Sequence, residues 1–513
     1  MAFCLKFITK KTNINKMETV LIKALQLVLA LSILVFVHEL GHFGFARLFK
    51  VRVNKFYLFF NPNFSIFRAK KINGKWQFRF FAKNLPDHTR QSVDEFGVPR
   101  TDKKGRPIME PAPLSELTDS DWRKYPETTE WGIGWVPLGG YCAIDGMADE
   151  TTDASMLSAE VKPWEFRSRP AWQRMFIIAG GVLMNFITAA IIYAMMLYTW
   201  GESYIPTQEA YLGYDYCQTA LNNGFQNGDR ILTVDGETIE DERDIVNKIV
   251  IEGKCNIVVL RNGEEVNITL PKNFGEQIVA ANDAKLTFLR MPFVVGTIAP
   301  NTPAEKANLQ PYDSIVGINS LSLPAYSDIV TELGKHKNET ITLDFVRADS
   351  LMHTAITLTE DGKIGVQIKD PSSYFKAKQI KYGFFESFPA GIVKGWEGLV
   401  SYIKQFRLVF TKAGAQSVGG FVAIGNMFPS TWDWSIFWSF TAFISIALAF
   451  MNFLPIPVLD GGYFLMLIYE MLTGRKPSDK FMEVASNIGM FLLLALLIFA
   501  NGNDLIKLIL GKF

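Results

Sequence analysis

Long apolar runs alternate with polar ones along this chain, and four of the runs are long enough to matter. The first, Ala24 to Ala46, has no titratable side chain except His38, Glu39 and His42. The second, Phe176 to Trp200, is uncharged throughout. The third is uncharged from Trp434 to Leu459, meets Asp460 and continues largely apolar to Leu472. The fourth starts at Ile488 and meets Asn501-Gly-Asn-Asp504 before ending at Leu510. A transmembrane helix takes about 20 residues, so the pattern predicts four spans, the fourth only if Asp504 sits near the far interface. No small-residue cleavage site follows the first run, so it reads as a span and not as a removed leader. Met17 is an alternative start.

Between the spans the pattern changes period. Val51 to Ala82 is aromatic and β-branched, broken at Asn61-Pro62 and at Asn73-Gly74, the latter a hairpin turn. This predicts strands, either a sheet dipping into the membrane interface or a small soluble hairpin layer. Residues 84–130 read as a loop ordered on contact or an insertion, and Gly132 to Gly146 as a buried loop or edge strand. Glu386 to Lys412 has apolar residues at helical spacing with charges between, which predicts an amphipathic helix on the membrane or packed on the neighbouring domain.

Residues 202–375 repeat internally. Gly224-Phe-Gln-Asn-Gly-Asp-Arg-Ile-Leu-Thr-Val-Asp-Gly236 aligns with Asn308-Leu-Gln-Pro-Tyr-Asp-Ser-Ile-Val-Gly-Ile-Asn-Ser320 at an offset of 84. The repeat resembles the PDZ family, with two departures in the second copy: Tyr312 where Gly is usual, and Asn319-Ser320 for Asp-Gly. Such a domain captures an extended segment on a sheet edge. A tandem pair inside one chain could equally be a steric filter.

Composition narrows the class. The 513 residues are 49% hydrophobic and 20% charged, which excludes disordered and collagenous chains. Four Cys at irregular spacing give no zinc-finger or redox pair. A net charge of +1 leaves no nucleic-acid footprint. That average hides opposites. Arg47 to Lys83 holds ten Lys/Arg and no acid, whereas residues 201–380 hold 25 acids and 16 bases. The positive-inside rule puts the first stretch in the cytoplasm and the second outside.

The chemistry is concentrated in the apolar runs. His38-Glu39-Leu40-Gly41-His42 is HExxH: on a helix, positions i and i+4 share a face, so both imidazoles reach one metal, with Glu39 placed to polarise a bound water. Ionisable groups inside a span are costly and functional by default. A catalytic zinc takes three protein ligands. The other carboxylate deep in the apolar parts is Asp460, in Asn452-Phe-Leu-Pro-Ile-Pro-Val-Leu-Asp-Gly-Gly462, where Pro455 and Pro457 break the helix. Unwound backbone at membrane depth is tolerated only around an internal site.

At these residues the chain resembles the site-2 protease family of intramembrane zinc metalloproteases, in its bacterial branch of regulator of sigma-E proteases with tandem PDZ domains. Val136-Pro-Leu-Gly-Gly-Tyr141 and Phe166-Arg-Ser-Arg-Pro-Ala-Trp-Gln-Arg174 are also family-like. The resemblance implies Zn2+ on His38, His42 and Asp460, Glu39 as general base, and substrate contacts at Asn452, Asn185, Pro455 and Pro457. It implies single-span membrane proteins as substrates, a site-1-type protease upstream, and a multi-pass location in the bacterial inner membrane with the PDZ pair facing the periplasm or cell exterior. Departures are Gly181-Val-Leu-Met-Asn185 and Gln416-Ser-Val-Gly-Gly-Phe421, which lack the family's Pro.

The expected architecture is a polytopic α-helical membrane protein of about four transmembrane helices, a membrane-associated β-hairpin layer and two extracytoplasmic PDZ domains. Its segments are 1–48, 49–172, 173–200, 201–291 and 292–375 for the PDZ pair, 376–433, 434–472 and 482–513. A transporter with intramembrane His and Asp, or a membrane-anchored PDZ scaffold, are the competing readings; neither explains HExxH together with the Asp460 motif.

Overall fold

The computed structural model describes residues 2–84, 88–93, 98–101, 107, 109–137, 139–147, 161–281, 283, 285–370 and 373–510. Part of the 84–130 insertion therefore lies outside the described residues. The chain forms two compact units, one of Met1–Thr199, Gly383–Tyr402 and Gly419–Phe513, the other of Trp200–Tyr382 and Ile403–Val418.

The first unit is built on helices. Among the described residues, four are long and apolar enough to cross a membrane: α1 (Ala2–Leu48), of which Met17–Leu48 qualifies, α2 (Ala171–Thr199), α5 (Trp434–Asn452) and α7 (Asp479–Ile509). Helix α3 (Phe384–Phe406) and the shorter α4 (Phe421–Met427) and α6 (Asp460–Thr473) accompany them. Small residues let the helices approach where lipid supplies no hydrophobic drive. A Cβ on Gly41 would lie 2.2 Å from the Gly180 carbonyl oxygen, so α1 and α2 cross backbone to backbone. Arg174 in the first turn of α2 donates to Glu470 in the last turn of α6 at 2.5 Å, a part-buried pair joining those helix ends.

The amphipathic helix packs on a span. Gly391 of α3 meets Ala190 and Ala194 of α2 so closely that a Cβ would stand 2.6 Å from the Ala194 nitrogen. Its other side leaves Phe385, Ile392 and Trp396 exposed. Asp504, read from sequence as a question of depth, has a local explanation. Its Oδ2 accepts from the Ala423 N–H at 3.0 Å, and Asn501 Oδ1 accepts from Phe421 N–H at 3.3 Å. The two α7 side chains thus cap α4, whose own N-cap, Gly420, has none to offer.

A five-stranded sheet sits beside α1. Its strands are β1 (Val53–Leu58), β2 (Phe64–Ile72), β3 (Lys75–Lys83), β4 (Glu130–Ile133) and β5 (Tyr141–Ile144), in spatial order β3-β2-β4-β1-β5. Asn73 and Gly74 both have positive φ, the two-residue turn that the Asn-Gly pair favours. One face packs Phe56 and Trp131 on Phe43 of α1. Farther out, Trp76, Phe78 and Phe80 of β3 are exposed. On the opposite face Tyr57 donates to Glu130 at 2.5 Å, with Arg68 3.5 Å from the same oxygen. Burial, with the Glu130 carboxylate alongside, pushes the Tyr57 phenol well up.

The second unit repeats itself in space at the offset seen in sequence. Strand Arg230–Val234 corresponds to Ser314–Ile318, Glu237–Thr238 to Leu321–Ser322, and helices begin at Glu242 and Tyr326. Each repeat has its own core, with Ile231, Ile245 and Val259 in the first and Ile315, Ile329 and Leu343 in the second, all fully buried. The aligned Asp229 and Asp313 each bind an arginine, Arg261 at 2.6 Å and Arg347 at 2.7 Å. The second copy keeps the left-handed turns without the glycines: Tyr312 has φ 76° where Gly228 has 98°, and Asn319-Ser320 take the place of Asp235-Gly236 at positive φ. Arg290, buried between the repeats, pairs with Asp215 at 2.6 Å and with Asp328.

Candidate metal centre

The HExxH segment lies within α1, and the helix turn brings its histidines together. His38 Nε2 and His42 Nε2 are 3.2 Å apart, their rings nearly perpendicular. His42 Nδ1 is 2.9 Å from the Ile177 carbonyl of α2. That carbonyl can only accept, so Nδ1 carries the proton and Nε2 keeps its lone pair for a ligand.

Asp460 arrives from the break between α5 and α6. Residues 453–459 fold over the start of α6, and the two glycines after Asp460 allow it: a Cβ on Gly461 would meet the Leu454 oxygen at 2.3 Å, and one on Gly462 the Ile456 oxygen at 2.5 Å. Val458 sits at φ 95°, a conformation β-branched residues avoid, so the loop stores strain of about 1–3 kcal/mol two residues before Asp460. Asp460 occupies the first turn of α6, where the helix dipole favours its negative charge.

The three ligand atoms converge. Asp460 Oδ2 lies 3.3 Å from His38 Nε2 and 3.5 Å from His42 Nε2, and it is buried with no hydrogen-bond partner. A tetrahedral ion with bonds of about 2.0–2.2 Å, as zinc makes, sets its ligand atoms about 3.3 Å apart. The observed edges of 3.2, 3.3 and 3.5 Å fit that spacing. Two imidazoles and one carboxylate are also a ligand set that catalytic zinc uses.

A pocket of about 610 Å³ opens on this triangle. Glu39, Asn185 and Asn452 line it with the three ligands. Asn452 Nδ2 is 3.5 Å from His38 Nε2, and Asn185 Nδ2 is 3.2 Å from His38 Nδ1. Pro455 and Pro457 are not among the lining residues; Pro457 backs onto α7, where a Cβ on Gly489 would overlap its carbonyl oxygen. Sequence reasoning missed several lining groups: Tyr463 of α6, Ser486 and Asn487 of α7, and Gly140, Tyr141 and Cys142 at the start of β5. The Asn and Ser of α7 stood inside the polar start of a weak span, with no signal for the direction they face.

Of the strand-rich segment 51–82, only Phe60 lines the pocket. β4 inserts between β2 and β1, carrying the hairpin away, and β5 closes the sheet on the pocket side. At Gly140 a Cβ would stand 2.6 Å from the Tyr57 oxygen and 3.6 Å from Glu39 Cγ, so only glycine lets the β5 backbone come this close to α1.

Gly181 gives a test of the packing. A Cβ there would meet His42 Nε2 at 2.5 Å and His38 Cε1 at 2.6 Å. Gly181→Val is expected to push the rings apart and lower metal affinity by about tenfold or more, read by competition with a chelating dye. Wild-type affinity in that variant would mean the rings do not form the binding face.

The model of Peptidase family M50 matches residues 26–83 and 121–496 and leaves out residues 84–120. The chain is 26% identical over 502 residues to the "Regulator of sigma E protease" of Haemophilus influenzae, covering 94% of this chain and 98% of that one. It is 25% identical over 524 residues to a "Putative zinc metalloprotease" of Vibrio cholerae, covering 96% and 100%. It is 25% identical over 510 residues to metalloprotease MmpA of Caulobacter vibrioides, covering 96% and 98%. A solved PDZ domain from Listeria monocytogenes matches 16% of this chain and 92% of its own at 19% identity, with a TM-score of 0.14, too low to argue from. The family match takes in both the helix that carries His38 and His42 and the loop that delivers Asp460, and it spans most of the sequence: the chain belongs to peptidase family M50, the site-2 protease family, and is a metalloprotease.

Proposed function

We propose that this chain is a zinc metalloprotease that cuts a peptide bond inside the membrane-spanning segment of single-span proteins. The observation that carries the reading is the convergence of His38, His42 and Asp460 on one point within a set of helices apolar enough to span a bilayer. His38, His42 and Asp460 would hold the zinc, which when bound would supply a water acidified toward about 7 and a Lewis acid for the peptide carbonyl. Glu39 takes the proton from the attacking water and hands it to the leaving amine. Asn452, at the rim of the triangle, is placed to hold the substrate backbone.

A substrate helix hides its carbonyls in its own hydrogen bonds, so it must open before it is cut. The opened segment would lie against the pocket wall at Gly140, beside Glu39.

The charge pattern supports a cytoplasmic sheet and an extracytoplasmic second unit in a bacterial inner membrane. There the two repeats act as a PDZ pair that turns away substrates with bulky ectodomains. The enzyme then works after a first cut by a site-1-type protease, on substrates such as an anti-sigma factor or remnant signal peptides. Purified full-length chain in detergent is expected to cleave a tagged single-span substrate, and 1,10-phenanthroline to stop it. Cleavage indifferent to the chelator would contradict the reading. Removing residues 202–375 is expected to widen substrate choice; loss of all cutting would favour a capture role for the pair.

A further inference from the structure

Zinc requires each histidine to offer one nitrogen and to protonate the other, and the other nitrogen then needs an acceptor. Helix α2 supplies both acceptors from one face. Ile177, Gly181 and Asn185 follow each other at intervals of four residues. Ile177 gives its carbonyl to His42 Nδ1 at 2.9 Å. Gly181 leaves room for both rings. Asn185 stands against His38 Nδ1 at 3.2 Å.

As drawn, the Asn185 amide points its NH2 at that nitrogen, while its Oδ1 is buried with no hydrogen-bond partner. A donor there would take the lone pair of Nδ1 and force the proton onto Nε2, which faces Asp460 and His42 and could then not bind a metal. Amide oxygen and nitrogen have the same shape, and the hydrogen-bond network decides between them. Turning the amide gives Oδ1 a donor and Nδ1–H an acceptor, and leaves Nε2 free. Asn185 is fully buried, and its own backbone carbonyl accepts from Ser445 Oγ of α5 at 2.7 Å, which holds the residue in place.

We propose that Asn185 is a positioning residue for His38: its side-chain oxygen accepts the Nδ1 proton, fixes the tautomer and turns Nε2 to the metal. This deepens the zinc reading above and rests on it. It assigns Asn185 to the metal site in place of a substrate contact.

The test compares wild type, Asn185→Leu and Asn185→Asp as full-length chains in detergent, with zinc affinity read by dye competition and KM on a tagged substrate. Leu keeps the branched shape but is bulkier and has no acceptor; Asp keeps both the size and the acceptor. Asn185→Leu is expected to bind zinc about 10–100-fold more weakly, and Asn185→Asp as tightly as wild type or tighter. The unfolding midpoints of the zinc-free chains should agree. Wild-type zinc affinity in Asn185→Leu, with a raised KM, would overturn the proposal in favour of a substrate contact. Equal loss in both variants would overturn it in favour of packing alone. A wild-type chain that binds no zinc, with His42→Ala indistinguishable from it, would fail the underlying reading instead.

Discussion

Glu39→Gln is expected to leave a folded chain that still binds zinc and cuts its substrate about 10²–10⁴-fold more slowly. Glutamine keeps the length and shape of the side chain but cannot take a proton. Glu39 is not one of the three converging ligands, so the metal should stay. It lines the same pocket and faces the β5 backbone at Gly140, where an opened substrate would lie. Glu39 therefore shares one pocket with the three ligands, within reach of a water held there. Elemental analysis and a cleavage time course on the same preparation check both halves. A variant that cuts at the normal rate would place the base elsewhere, and one that loses zinc would make Glu39 part of the metal site.

The second large effect is at Asp460. Asp460→Asn is expected to weaken zinc binding by more than about 100-fold, beyond the 10–100-fold typical of losing a residue that only supports a ligand. The carboxylate is the sole anionic member of the triangle, and its Oδ2 is buried among two imidazoles with no other partner. A neutral amide there also brings an NH2 that repels the cation. Because Asp460 begins α6, the unfolding midpoint of the zinc-free chain must be measured alongside. A fall in zinc affinity without a fall in that midpoint assigns the effect to ligation. Unchanged zinc content would remove Asp460 from the site.

What could be read in advance follows the range of the signals. HExxH encodes its geometry locally, because i and i+4 share a helix face whatever the surroundings, and the two rings do meet. The Asn73-Gly74 turn and the 84-residue repeat are equally local. Asp460 was reachable because a charge and two prolines in an apolar run cost too much to be incidental. The sheet order was not reachable. Glu130–Ile133 joins β1 in parallel across more than seventy residues of chain, and no pattern in either strand announces that partner. So β5, read as a buried loop or edge strand, could not be placed beside the site. Asp504 looked misplaced in a span because its partner, the bare N-terminus of α4, lies about eighty residues away. Ser486 and Asn487 line the pocket because of how α7 packs, which composition does not encode.

The central claim is that this site hydrolyses peptide bonds at membrane depth by means of zinc. The measurement that meets it most directly is the position of the cut. Full-length chain, stripped of metal and then given one equivalent of zinc, is incubated with a single-span substrate and the products are weighed by mass spectrometry. Two fragments whose new ends fall within the substrate's apolar segment, formed only after zinc is restored, are the result expected. Fragments ending outside that segment, or formed equally by the metal-free chain, would contradict it.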